Sequence, residues 1–587
     1  MVKEKANIFD SKLFSKLMVF VKPYNKVYYF VMTTAILLAG FSALTPYLLK
    51  ITVDDYIRVK DYAGMIFIIG MMLITLMGEV IFQFLFVYFA NFLGQNVIRD
   101  LRVVLFQKIV GFKMAYFDKS AVGRLVTRAV NDIETIASIF SQGLFMIIAD
   151  LLKMVVVVVI MLLIDWQLSL IVFSILPVIL YATRLFQKSM KSAFEEVRLQ
   201  VANLNSFVQE RITGMQIIQL FHRENIEYGN FVAINEKHKK AWLKTVWYNS
   251  IFFPVAEISS SITLGLLVWY GGLNVAVGGS VSLGMIFLFI QMSQMLFRPL
   301  RQIADKFNTL QMGMVSADRI FKILRTESQI ADEGHWEPQN IEGKISIKNL
   351  RFSYLPNEEV IHGIDLEIQS GEKIAIVGAT GAGKSTLINL LSRFYEFEKG
   401  EINIDDYSIK DFTLRSLRQH VGIVLQDVFL FADSIYNNIA LNNPNVTRAM
   451  VYEAAEQIGV HQFIESLPGG YDYNVKERGV MLSSGQRQLI AFLRVYISNP
   501  SVLILDEATS SIDTHSEELI KNATHQITSN KTSILIAHRL STIKNADRIV
   551  VMDAGNIVEI GKHKELLNIK DGFYSQLYKT QFLELVV

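Results

Sequence analysis

Six runs of about 20 apolar residues begin near Val27, Ala63, Ala137, Leu168, Ser250 and Ser282, and nothing else in the chain limits its fold so strongly. Inside a bilayer no water can satisfy the backbone, so segments of this kind must cross as helices whose N–H and C=O groups bond internally. Composition agrees, since 51% hydrophobic and 19% charged residues over 587 positions are too apolar for soluble domains alone. A net charge of +2 gives no sign of a nucleic-acid partner. The absence of cysteine excludes disulfides and thiolate metal sites. The N-terminal stretch MVKEKANIFDSKLFSKLMVF carries charge through its apolar positions. It therefore reads as a short amphipathic helix on the inner membrane face rather than as a signal peptide.

The links after the first, third and fifth runs (54–62, 165–166 and 276–280) are short, with Arg58 and Lys60 as their only bases. Those after the second and fourth are long and basic, from Arg99 to Arg128 and from Lys188 to Lys244. Positive charge collects on the cytoplasmic side, so both termini are expected inside, in a multi-pass protein of the cytoplasmic (inner) membrane. Neither long link holds enough Pro or Gly to break a helix. Each is expected to extend its span into the cytosol, turn and return, which makes two long intracellular helical arms.

From about Arg325 the apolar character drops, and RTESQIADEGHWEPQNIEG reads as a polar linker. The expected organisation is a transmembrane domain over 1–324, a linker over 325–342 and a soluble domain over 343–587. In the soluble part, short β-rich runs (KIAIVG, SVLILD, TSILIAH, DRIVVMD) alternate with helical stretches, the pattern of an α/β domain with a largely parallel core.

The segment GATGAGKST, residues 378–386, follows the strand KIAIV and opens the helix TLINLLSRF. This is the required context of a P-loop. The run Gly378, Ala379, Thr380, Gly381, Ala382 and Gly383 wraps phosphate with backbone N–H groups, Lys384 reaches the β and γ phosphates, and Ser385, followed by Thr386, ligates Mg2+. In SVLILDE, Asp506 and Glu507 close a buried strand, where adjacent carboxylates are costly unless they meet a cation. Asp506 is assigned beside Mg2+ and Glu507 beside the attacking water; the other reading of Glu507 is a plain surface carboxylate. LSSGQRQLIAF offers a second anion site, with Ser483, Ser484, Gly485 and Gln486 at a helix N-terminus.

With LSSGQ, both phosphate-site motifs and a histidine closing the strand TSILIAH, the chain resembles an ATP-binding cassette exporter half-transporter over essentially its whole length. The resemblance implies a six-helix transmembrane bundle with long arms, joined to an α/β P-loop NTPase cassette that uses ATP and Mg2+. It implies that Tyr354 in FSY stacks on adenine, although an aromatic in a strand is by itself more often core. Gln426 then touches Mg2+ and senses the membrane domain, Glu507 is the general base, Asp513 in SSID crosses a dimer interface, and His538 contacts the γ-phosphate. Segments 116–134 and 209–224 resemble the two coupling helices of the family. Two cassettes of the family stack head to tail, each signature covering the partner's ATP, so the implied partner is a second half-transporter, identical or different. Two positions depart from the pattern: Ser484 stands where Gly is most frequent, and Lys476 where a Gly usually precedes Glu477. The implied function is ATP-driven export of small hydrophobic or amphipathic compounds by alternating access. Lipid flipping, or an ATP-gated channel or regulator, are the alternatives.

Charges inside spans are suspects for function. Glu79, Asp150 and Glu257, with Lys153 on the face of Asp150, give three acids against one base toward the cytoplasmic leaflet. Either they pair between helices, or they make a cavity that attracts cationic amphiphiles. In the sixth run Met285, Phe287, Phe289, Met292 and Met295 supply adaptable apolar surface, for ligands or for helix packing.

Overall fold

A computed structural model describes residues 11–506, 514–537 and 540–580. The chain divides into two compact units, one of Met1–Val110 with Ala121–Glu327, the other of Gly111–Ser120 with Ser328–Val587.

The first unit is helical, and among the described residues six helices are long and apolar enough to cross a membrane. The second, Tyr62–Val110, has 49 residues. At 1.5 Å per residue it is about 74 Å long, more than twice a hydrocarbon core of about 30 Å. Trp166–Thr213 and Glu224–Ala276, of 48 and 53 residues, are equally over-long. The expected arms are thus continuous helix. Each turns at a short helix, Met114–Lys119 in one case and Met215–Leu220 in the other. Prolines 46, 177, 254 and 299 sit inside long helices without ending them, as membrane helices tolerate.

The N-terminal helix Ser11–Val19 buries Leu13 and Leu17, one turn apart. It packs against the sixth helix, Leu283–Arg325, where Phe20 and Phe321 lie 6.3 Å apart between ring centroids. The N-terminal end of that sixth helix is capped twice. Ser282 accepts from the Met285 N–H, and Asp54 at the end of the first helix accepts from the Gly284 N–H at 2.8 Å.

At the charged level of the bundle, Asp150 follows the first of the two alternatives, pairing between helices. Lys306 pairs with Asp150, and Lys153 senses Arg298 as well as Glu79 and Asp150. Among the described residues, Arg298 and Lys306 of the sixth helix thus join Lys153 beside Glu79 and Asp150. Tertiary folding thus brings to this level bases of the sixth helix that a reading of the spans one by one leaves out. Met292 and Phe289 are fully buried in the bundle core with Val157, Met161 and Leu267, so packing accounts for these two. Phe287 stays half exposed.

The second unit holds a four-stranded and a six-stranded sheet. Its strands are β1 (Ile345–Leu355), β2 (Glu358–Ile368), β3 (Lys373–Val377), β4 (Lys399–Ile404), β5 (Tyr407–Ser408), β6 (Val421–Val424), β7 (Val502–Asp506), β8 (Thr532–Ile536), β9 (Arg548–Asp553) and β10 (Asn556–Gly561). The small sheet is antiparallel in the order β2-β1-β4-β5. The large one runs β10-β9-β3-β8-β7-β6, parallel except for the β10–β9 pair.

Side chains alternate across a strand, and here the alternation builds two different cores. Ile374 and Ile376 of β3, Ile504 of β7, Ile534 of β8 and Val550 of β9 point into one, which also holds Leu387, Ile388 and Leu391 of the helix Lys384–Leu391. Leu503 and Leu505 of β7 and Leu535 of β8 point the other way, against Leu489, Ile490 and Phe492 of the helix Ser484–Ser498. These two helices therefore lie on opposite faces of the six-stranded sheet.

The polar stretch after the sixth helix does not hang free. Asp332 accepts from the Leu414 N–H at 2.8 Å, and the indole of Trp336 stacks on Tyr407 at 3.9 Å between centroids.

Candidate functional site

Open parallel sheets bind ligands beyond the carboxyl ends of their strands, and the expected nucleotide residues gather there. The P-loop follows β3, Gln426 follows β6 by two residues, and Asp506 ends β7. Register brings Asp506 opposite Ile536, the last residue of β8. His538 comes two residues later; it, Glu507 and Asp513 lie outside the described residues.

The loop needs its glycines. A Cβ on Gly378 would stand 2.2 Å from the Met552 carbonyl oxygen, while Gly383 has φ +98 and precedes the helix as its cap. Only glycine meets both demands. The exposed Ala379 and Thr380 and the half-turn through Gly381 bring the chain to Ala382, whose N–H donates to the Ala379 carbonyl at 3.1 Å. Ser385 is exposed at the mouth, whereas Lys384 and Thr386 are buried. The Lys384 ammonium donates to the carbonyls of Gly378 and Ala379 at 2.7 and 3.0 Å. Burial pushes its pKa down, and the negative charge of Asp506 opposes that push. Burial likewise raises the Asp506 carboxyl, which Lys384 counters and Asp427 reinforces.

Tyr354 sits at the end of β1, 37% exposed, and its hydroxyl donates to Thr386 Oγ1 at 3.2 Å. Its ring meets the edges of Phe352 and Tyr395 at 4.8 and 4.9 Å. The residue thus borders the P-loop helix and remains partly exposed, as a base platform requires.

A hard cation fits this donor set. The Ser385 hydroxyl, the Asp506 carboxylate and the exposed Gln426 amide are all oxygen donors, and Mg2+ takes one or two protein ligands beside phosphate and water oxygens. Among the described residues no cluster of three or more acids and histidines suggests a cation cage of another kind.

The signature lies on the other face of the sheet. Ser483 caps its helix, Oγ accepting from the Gln486 N–H at 3.2 Å while Gln486 Oε1 accepts from the Ser483 N–H at 2.9 Å. This reciprocal box fixes the first turn. It uses the serine oxygen as acceptor only, so the hydroxyl proton is left to donate outward. Gly485 is buried in that turn, and Ser484 begins the helix.

Sequence reasoning missed Arg494, further along the same helix. Its guanidinium donates to the carbonyls of Asn438 and Phe429 at 2.6 and 2.9 Å, tying the signature helix to the segment that follows Gln426. A basic residue near a helix end gives no sign of such a partner. Lys476 is more telling. It adopts φ +59 and ψ −174, a region held almost only by glycine, which accounts for the Gly usual at this place.

Residues 28–300 match the family model described as "ABC transporter transmembrane region", and residues 361–510 the one described as "ABC transporter". The chain is similar to an ATP-dependent lipid A-core flippase of Syntrophus aciditrophicus, with 34% identity over 97% of this chain and 95% of that protein. It is likewise 34% identical to the Bacillus subtilis protein named "Putative multidrug export ATP-binding/permease protein YgaD", over 96% of this chain and 99% of that one. A third relative, the B. subtilis ABC transporter ATP-binding protein YknV, shares 34% over 97% and 94% of the two chains. With a six-helix membrane region and a P-loop cassette on one polypeptide, the chain belongs to the ABC transporter family, as an ATP-hydrolysing half-transporter of the exporter type that spans the membrane several times and works as a dimer.

Proposed function

We propose that this half-transporter moves hydrophobic or amphipathic compounds out of the cytoplasm or inner leaflet, by alternating access between two paired chains. The observation that carries the pairing is the placement of the P-loop helix and the signature helix on opposite faces of one sheet. A signature kept apart from its own P-loop by a sheet is suited to a nucleotide held by another chain. In this reading 1–324 is the transmembrane domain, 325–342 the linker and 343–587 the cassette, with both termini cytoplasmic.

Within each composite site, Tyr354 stacks on adenine and residues 378–386 wrap the phosphates. Ser385, Gln426 and Asp506 hold Mg2+, which supplies charge neutralisation on the phosphates. Glu507 takes the proton of the attacking water, His538 contacts the γ-phosphate, and Asp513 meets the partner. Ser483, Ser484, Gly485 and Gln486 close over the partner's nucleotide. The tips at 116–134 and 209–224 serve as coupling helices.

The names of the relatives, one a lipid A-core flippase and one a multidrug export protein, both favour amphipathic cargo. The flippase name supports lipid movement as the second reading. Reconstitution in proteoliposomes separates them, with Hoechst 33342 and a fluorescent phospholipid as probes and Glu507→Gln as the control without hydrolysis. ATP-dependent movement of the dye is expected, absent in the control. Movement of the lipid alone selects the flippase, and hydrolysis with neither movement overturns export in favour of a gated channel or regulator.

A further inference from the structure

The P-loop helix Lys384–Leu391 ends at Ser392, and the next residue, Arg393, turns left-handed with φ +48. A non-glycine residue there is held by its surroundings. Those surroundings are unusual for an arginine. Its side chain is 4% exposed and touches one acid, Glu396, at 3.0 Å. Its other bonds go to backbone carbonyls: Ile409 at 3.2 Å, Phe412 at 3.4 Å and Ala331 at 3.1 Å. The last belongs to the polar stretch that follows the sixth helix. A planar fork with five donors in fixed directions can hold three chain segments at once.

The same stretch has a second anchorage three residues earlier. The Ser328 carbonyl accepts from the Lys113 N–H at 2.7 Å, and Gln329 forms an antiparallel bridge with Phe112. Lys113 directly precedes the short helix Met114–Lys119 at the tip of the first arm. Covalently, Ser328 is three residues beyond Arg325, the last residue of the sixth helix. A continuous set of bonds therefore runs from the end of the P-loop helix, through Arg393 and the stretch 328–331, to the arm tip and the sixth helix.

We propose that Arg393 is a positioning residue for the ATP-driven cycle, one that ties the inter-domain stretch to the P-loop helix so that a change at the nucleotide reaches the first arm tip and the sixth helix by this strap. The inference rests on the proposed coupling of hydrolysis to transport. It assigns the segment between the domains a transmitting role in place of a passive tether, and it requires that the guanidinium fork, not just positive charge, be present.

Hydrogen–deuterium exchange on the full-length dimer in nanodiscs, with and without ATP and vanadate, tests it. In the parent protein, ATP is expected to slow exchange in peptides covering 378–391 and to alter it in peptides covering 111–120. Arg393→Gln should keep the first response, with KM for ATP within about twofold, and lose at least two-thirds of the second. Arg393→Lys should not restore it, because one ammonium cannot reach Ala331 and Ile409 together. Lys113→Pro provides an independent break: φ at Lys113 is −67, which suits proline, so the N–H to Ser328 is lost, together with the lysine side chain, at a position whose own φ need not change. It should show the same loss at 111–120. A full response at 111–120 in either variant, or loss of nucleotide protection at 378–391 in Arg393→Gln, overturns the proposal. A parent that binds ATP without any response at 111–120 sinks the coupling reading instead.

Discussion

The ammonium of Lys384 lies 2.7 Å from the carbonyl oxygen of Gly378, six residues back in its own loop. With Ala379 as second acceptor, the lysine closes the cradle on itself. Burial disfavours its charge, so the two carbonyls and the nearby Asp506 are what keep a cation there. Phosphate oxygens offer stronger, charge-assisted acceptors at the same place. ATP binding is then an exchange of partners for a cation already in position.

Removing that cation should remove the gain. In the parent, ATP at 100 times its Kd should stabilise the fold by about 2.7 kcal/mol, read as a rise in apparent Tm. Lys384→Met should show no rise at the same concentration, because its thioether meets phosphate with no charge. An unchanged ATP-dependent shift in this variant would place the phosphates elsewhere.

Asp506 gives a pH-dependent test. Burial raises its carboxyl above the usual range, so the folded protein binds that proton more tightly than the unfolded chain does. By linkage, its contribution to stability is greatest below the unfolded carboxylate value and declines as pH climbs through the raised folded value. At pH 7.5 the ionised group therefore costs stability. Asp506→Asn should raise the apparent Tm of the nucleotide-free protein there, by roughly 2 °C, and this advantage should vanish toward pH 4. Hydrolysis should be lost at every pH. A variant less stable than the parent at pH 7.5 would contradict the burial argument.

Lys476 holds φ +59 and ψ −174 without the freedom of glycine. Such a residue carries strain of about 1–3 kcal/mol. Lys476→Gly relieves it, at the expense of a more flexible unfolded chain worth up to about 1 kcal/mol. The expected balance is a modest gain in thermal stability with ATP hydrolysis preserved. A fall in apparent Tm would mean that the lysine side chain makes up for its backbone.

What the sequence disclosed is what the chain encodes locally. The P-loop could be read because its glycines, its strand and its helix are contiguous, and the arms because the long basic links hold too little Pro and Gly to break a helix. The strap could not be read as a strap. Its composition is that of a loop, and the partners that hold it, Leu414 for Asp332 and Tyr407 for Trp336, lie more than seventy positions away. Trp336, an aromatic alone in a polar run, was the one local cue. The partner of Asp150 could not be read for the same reason, since it finds Lys306 only after folding. Arg393 looked like any base after a helix, where the macrodipole alone would explain it.

The arrangement of the two anion sites makes the sharpest prediction. Ser483 and the P-loop belong to helices on opposite faces of the sheet, so each signature is expected to complete the site of the partner chain. Take a dimer of two differently tagged copies, one carrying Ser483→Arg and the other Lys384→Ala. If signatures act on the partner, the P-loop of the Ser483→Arg copy faces an intact signature, and both lesions fall on the other site. If they act within a chain, each site carries one lesion. Vanadate trapping of a photoreactive ATP analogue, followed by separation of the tagged chains, reads the difference. Label on the Ser483→Arg copy alone is expected, at close to the amount each parent site traps. Weak, equal labelling of both copies would mean that each chain closes its own site, and the opposite placement of the two helices would then need another explanation.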